Sequence, residues 1–180
     1  MLTARTVIGA HAYFFPASAA FTVPEAGAAG RNAKPGAADP AWIKCGVSDW
    51  TFQNTGTTVD FFAPAPGARE LYDKVVTKKG LKLKGKLMEM QNLVWQLLLS
   101  TAVLPASPAA GGQYNPGEGD PVVRGWLQLQ QFNQENVLIN TMDVYVAMTI
   151  PGDVQFGENP VDVDVECDKL QSVLNTGNLA

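Results

Sequence analysis

The sequence predicts a mainly β protein, a β-sandwich or barrel of about eight strands with one short α-helix flanking it. Three observations carry that prediction. Most of the chain divides into short segments rich in β-branched and aromatic residues, each bounded by Gly, Pro, Asn or Asp. Only one stretch shows apolar residues at helical spacing. The 180 residues are 46% hydrophobic, enough for one core and too few for two domains to be expected, so residues 1–180 are read as a single domain.

The first strand is expected around Val7 to Phe15. The opening "MLTARTVIGAHAYFFPASAAF" loosely mimics a signal peptide, but it has one early positive charge, Arg5, and His11 and Pro16 interrupt its apolar run. Residues 24–40, "PEAGAAGRNAKPGAADP", hold small residues and proline without apolar periodicity. They read as a long loop or arm, suited to lying flat on a neighbouring subunit. Strands follow at 41–53, 57–64, 69–77 and 80–90. In the last of these, Lys82, Lys84 and Lys86 alternate with Leu81, Leu83, Gly85 and Leu87, a basic outer face over an apolar inner one.

That two-residue rhythm then stops. From Asn92, a candidate cap, Leu93, Trp95, Leu97, Leu98 and Leu99 recur at three- and four-residue offsets, which predicts a helix of about ten residues. It is too short to persist alone. Its apolar surface covers more than one face, so either two surfaces clamp it or one side meets another subunit, with Trp95, Leu98 and Leu99 the candidate contacts. Residues 105–121, "PASPAAGGQYNPGEGDP", read as a second arm. Strands return at 122–132, 141–150 and 161–167.

The formal charge of −4 argues against a grip on nucleic-acid phosphates. Cys45 and Cys167, the only two cysteines, have neither disulfide-framework nor zinc-ligand spacing and read as small buried residues in a protein made in a reducing compartment. The single histidine, His11, sits in what reads as an edge strand, and no phosphate-cradling glycine loop occurs. Asp162, Asp164, Glu166 and Asp168 in "VDVDVECDKL" are the most tempting chemical cluster. On a strand, however, such residues form a row about 6.5 to 7 Å apart rather than a cage, so neither metal binding nor acid–base catalysis is expected. No catalytic residue, cofactor or metal is assigned. The acidic row and the three lysines either face each other across neighbouring strands or form separate acidic and basic surfaces suited to head-to-tail repetition. No apolar run approaches the roughly 20 residues that span a bilayer, so no membrane partner is expected.

The order "WIKCGVSDWTF", "APAPGARELYDKV" and then "KKGLKLKGKLMEMQNLVWQLLLS" resembles the major tail tube proteins of long-tailed, siphovirus-like bacteriophages, over about residues 42–100 and more loosely at 161–167. The resemblance implies the tail-tube fold and a non-enzymatic virion protein, made in the host bacterial cytoplasm. Hexameric rings would stack into a tube around the tape-measure protein, meet tail terminator and baseplate or initiator proteins, and pass viral DNA transiently. It also implies a sheet strand at 81–88 and a flanking helix at 92–100. Asp162, Asp164 and Glu166 become candidates to line the lumen, where lysines in their place are expected to leave rings intact but impede DNA. Lys82, Lys84 and Lys86 join Trp95, Leu98 and Leu99 as candidate subunit contacts. Two other readings stand beside it. One is a different phage structural subunit, such as a capsid decoration or connector protein. The other is a monomeric β-sandwich module binding carbohydrate or a cell surface through Trp42, Trp50 and Trp126.

Overall fold

Alternating apolar and polar residues make most of these segments pair side by side, and every pairing between them is antiparallel. The computed structural model describes residues 9–17, 19–23, 25–47, 49–64, 67–87, 92–100, 116–156 and 162–179. Its main sheet contains β1 (Gly9–Pro16), β4 (Ile43–Val47), β5 (Trp50–Asn54), β8 (Leu81–Leu87), β9 (Val123–Phe132), β10 (Leu138–Thr149), β11 (Val163–Lys169) and β12 (Thr176–Leu179). Two small ribbons stand apart: β2 (Ala20–Phe21) with β3 (Gly27–Ala28), and β6 (Thr57–Phe62) with β7 (Leu71–Lys78). The one helix among the described residues, α1, spans Asn92–Leu99. The side chain of Asn92, like residues 1–8, 88–91 and 105–115, lies outside the described residues, so the cap and those parts of the expected strands and second arm stay expectations.

The strand order is β4-β1-β9-β10-β11-β8-β5, with β12 pairing the first half of β10. β4 and β5 occupy opposite ends of this order, yet only two residues separate them in the chain. Three Cα steps of 3.8 Å allow at most about 11 Å between Val47 and Trp50. The two sheet edges therefore come together, and the sheet closes into a barrel-like layer. Residues 41–53, expected as one strand, are two strands serving two edges, and Gly46 takes the left-handed φ of 83° just before the break. The strand carrying His11 is likewise not an edge: it lies between β4 and β9, and His11 packs edge-on against Phe132.

The barrel interior collects Phe14, Leu83, Leu127, Leu129, Val146, Met148, Val163 and Val165, all buried. Helix α1 adds Leu93, Val94 and Leu97 to the same cluster, and this packing stabilises so short a helix. Both cysteines belong to this core, and burial pushes the Cys167 thiol far above its usual range. Gly85 leaves room for the Trp50 ring, which an added Cβ would meet at 2.6 Å.

A second core lies on the outside of β1, β9 and β10, around Phe15, Trp126 and Tyr145. What covers it is the 19–42 segment. The Trp126 indole donates to the carbonyls of Gly30 and Ala33 at 2.9 and 3.1 Å, and Trp42 donates to Gly36 at 2.9 Å. The Asp39 carboxylate accepts from the backbone N–H groups of Thr22, Val23 and Ala41 at 2.7 to 3.0 Å. Pro35 and Ala29 are buried. The 24–40 segment thus packs on its own sheet. Its small residues let its backbone lie close against aromatic side chains of its own sheet. Beneath it, Asp143 accepts from Gln128 at 2.9 Å and pairs with Lys34 at 2.7 Å, so this buried carboxylate is compensated.

Candidate assembly surface

Among the described residues, the hairpin of β6 and β7 is the longest extended element that the body of the protein leaves uncovered. Every residue of both strands is exposed, including Phe61 (51%), Phe62 (54%), Leu71 (53%), Tyr72 (81%), Val75 and Val76. Val59 pairs with Val75 and Phe62 with Leu71, while Asp60 and Lys74 form a cross-strand ion pair at 3.4 Å. Consecutive apolar residues such as Phe61–Phe62 and Val75–Val76 place apolar side chains on both faces of the ribbon. Where the hairpin leaves the body, Thr55 donates to the Gly80 carbonyl at 3.0 Å. An isolated two-stranded ribbon is marginal in water, and both of its edges are open in the chain described. It presents an exposed apolar surface.

The charged rows resolve the choice left open by the sequence. β8 and β11 are neighbours, with Lys86 opposite Asp164, Lys84 opposite Glu166 and Lys82 opposite Asp168. Lys82 and Lys84 reach Glu166 at 2.8 and 2.7 Å, and Lys82–Asp168 and Lys86–Asp164 are looser at 3.8 Å. Both rows lie on the outer face, opposite buried Leu83, Leu87, Val163, Val165 and Cys167. They form a single charge-compensated face, and the alternative of separate acidic and basic surfaces is excluded. Asp162, exposed just before β11, precedes the ladder. Hydrogen bonds from Lys82 and Lys84 hold the Glu166 carboxyl below its usual range, and the bond to Glu166, with Asp168 nearby, raises the Lys82 ammonium. The backbone donors, Thr22 first, do the same for the Asp39 carboxyl.

Two consequences follow from these pairings. Of lysines at 162, 164 and 166, those at 164 and 166 would set like charges against Lys86, Lys84 and Lys82, so the expectation that such a variant leaves assembly untouched gives way to a weakened β8–β11 seam. Because Asp39 and Glu166 have depressed folded values, the stability they contribute is present above the ordinary carboxylate range and is lost as pH falls through those values. Acidification from about pH 4 downward is expected to loosen the 19–42 cover before the barrel. A red shift of tryptophan emission should precede loss of the far-ultraviolet β signal, and coincident transitions would count against it.

Helix α1 buries Leu93, Val94 and Leu97 and leaves Trp95, Leu98 and Leu99 half-buried. Trp95 is already engaged, stacked on Phe156 at 5.7 Å with the rings 4° from parallel. No protein-family model and no curated protein matches this chain. Among the described residues, no group of three or more His, Cys, Asp or Glu side chains is placed to hold a metal ion, and no helix is long and apolar enough to cross a membrane. The three tryptophans offered as a carbohydrate platform are dispersed. Trp126 is fully buried and Trp42 packs edge-on against Phe15, both in the outer core, while Trp50 packs on the inner one. The hairpin could have been flagged from the apolar doublets in "TTVDFF" and "LYDKVVTK", which suit a strand with apolar surroundings on both sides.

Proposed function

We propose that this chain is a structural subunit that assembles with copies of itself, and that its assembly is a stacked ring of the tail-tube kind, a conduit in a phage virion. The observation that carries the reading is the β6–β7 hairpin, whose apolar side chains lack a core in their own chain. Burying such a ribbon against a neighbour removes both its open edges and its exposed aromatics from water. In this reading the hexameric number, the tape-measure, terminator and initiator partners and the passage of DNA all come from the resemblance over residues 42–100. The lumen face is then not a bare acidic wall. If Asp162, Asp164 and Glu166 line the bore, their lysine partners line it too, and a face of paired charges neither holds a polyphosphate firmly nor repels it strongly.

The test is direct. Negative-stain microscopy and sedimentation of the purified chain are expected to show rings or tubes that grow with concentration. A monodisperse monomer at every concentration up to the millimolar range would overturn the reading.

A further inference from the structure

Resting on the self-assembly reading, we propose that the lysine-lined cleft at the root of the hairpin is a socket for carboxylates, filled by the Glu118–Asp120 turn of a second copy of this chain. The cleft, of about 840 Å³, lies between the base of the hairpin and the segment following β11. Lys78, Lys79 and Lys169 line it together with Asn54, Ser172 and Asn175, and among the described residues no Asp or Glu does. Five other lysines have acidic partners. Lys34 meets Asp143, Lys74 meets Asp60, and Lys82, Lys84 and Lys86 meet the acidic row. Lys78, Lys79 and Lys169 make no ion pair among the described residues. Three unpaired lysines lining one concavity of a chain with a net charge of −4 mark a place that favours an anion.

Carboxylates of matching charge stand on the same molecule, unpaired with the cleft lysines of their own chain. Residues 116–120 form an exposed turn after α1, fixed by Gly117 N–H donating to the Leu99 carbonyl at 2.8 Å and Gly119 N–H donating to that of Ser100, with Gly117 at φ 83°. Glu118 and Asp120 are exposed and make no ion pair among the described residues. The turn leads into β9 at the end where β10 finishes, as Val123 faces Met148. The cleft lies where β5 and β11 finish and β8 begins, with Asn54 facing Leu81 and Lys169 facing Val146, two residues along β10 from Met148. Within one chain no ion pair among the described residues joins the turn to the cleft; the contact proposed is between copies and joins two different surfaces, so it is heterologous and propagates or closes into a ring. A carboxylate in the cleft touches both the hairpin base (Thr58, Val76, Lys78) and the body (Lys169, Ser172), which sets the angle of the hairpin as the next subunit arrives.

Charge-swap variants test this. The triple change K78E/K79E/K169E and the double change E118K/D120K are each expected to weaken association at least roughly tenfold in sedimentation velocity, with unchanged far-ultraviolet spectra. An equimolar mixture of the two is expected to restore it, because each interface then again joins opposite charges. A synthetic peptide of residues 114–123, titrated against the unmodified protein, should bind in low salt and lose its binding to the triple variant. Association of the triple variant equal to that of the unmodified chain, failure of the mixture to recover, or binding of inorganic phosphate but not the peptide would each overturn the socket. If the unmodified chain never associates, the self-assembly reading fails, and the peptide titration alone still decides the socket.

Discussion

Serine at Phe61, Phe62 and Tyr72 is expected to abolish assembly while leaving the subunit folded. All three side chains are more than half exposed on a ribbon that contributes nothing to either buried cluster, so removing them takes little from the fold. In an assembled state they would be covered, and each large apolar side chain removed from water is worth about 1.5 to 3 kcal/mol. Losing three weakens association by about a thousandfold or more. Sedimentation equilibrium reads the first effect and thermal melting the second. A variant that assembles normally, or whose melting temperature drops by more than a few degrees, would show that the hairpin serves the fold and not the interface.

The second large effect is expected at the opposite extreme of burial. Trp126→Ala should destabilise the protein by about 3 to 5 kcal/mol, measured as a lowered denaturant midpoint. Trp126 is fully buried between the outer sheet face and its cover, against Phe15 and Tyr145, and its indole N–H holds the carbonyls of Gly30 and Ala33. The truncation opens a cavity and leaves those acceptors without their donor. Gly125→Ala, next to it, should be comparably poorly tolerated, because its Cβ would collide with the Phe15 carbonyl oxygen and lie 2.6 Å from the Phe14 ring. If Trp126→Ala cost under about 1 kcal/mol, the outer cluster would not be a true core.

Set beside these outcomes, the sequence was most legible where one face of a strand is buried. The alternation in "LKLKGKL" and "VDVECDK" fixed both the strands and the facing of their charges, because a one-residue slip would turn every lysine inward. Helix α1 stood out for the same reason, through the spacing of Leu93 and Leu97. The cover over Trp126 was invisible because side-chain–backbone hydrogen bonds fasten it, Asp39 and Trp42 above all, and polar fastening has no periodicity. β12 was missed because "TGNL" is exposed throughout and alternates nothing. The division of residues 41–53 was hidden since both halves look like strand, and Gly46 was its only local mark. The cleft escaped notice because Lys78, Lys79 and Lys169 come from distant parts of the chain.

The placement of β1 has a bearing on how the subunit is made. Residues 9–16 lie between strands 43–47 and 125–132, so a nascent chain leaving the ribosome exposes one side of its first described strand until more than a hundred further residues have emerged. Long-range pairings of this sort fold slowly, over milliseconds to seconds. The barrel is therefore expected to finish after synthesis rather than during it, and a cell making many copies needs chaperones to shield that waiting strand.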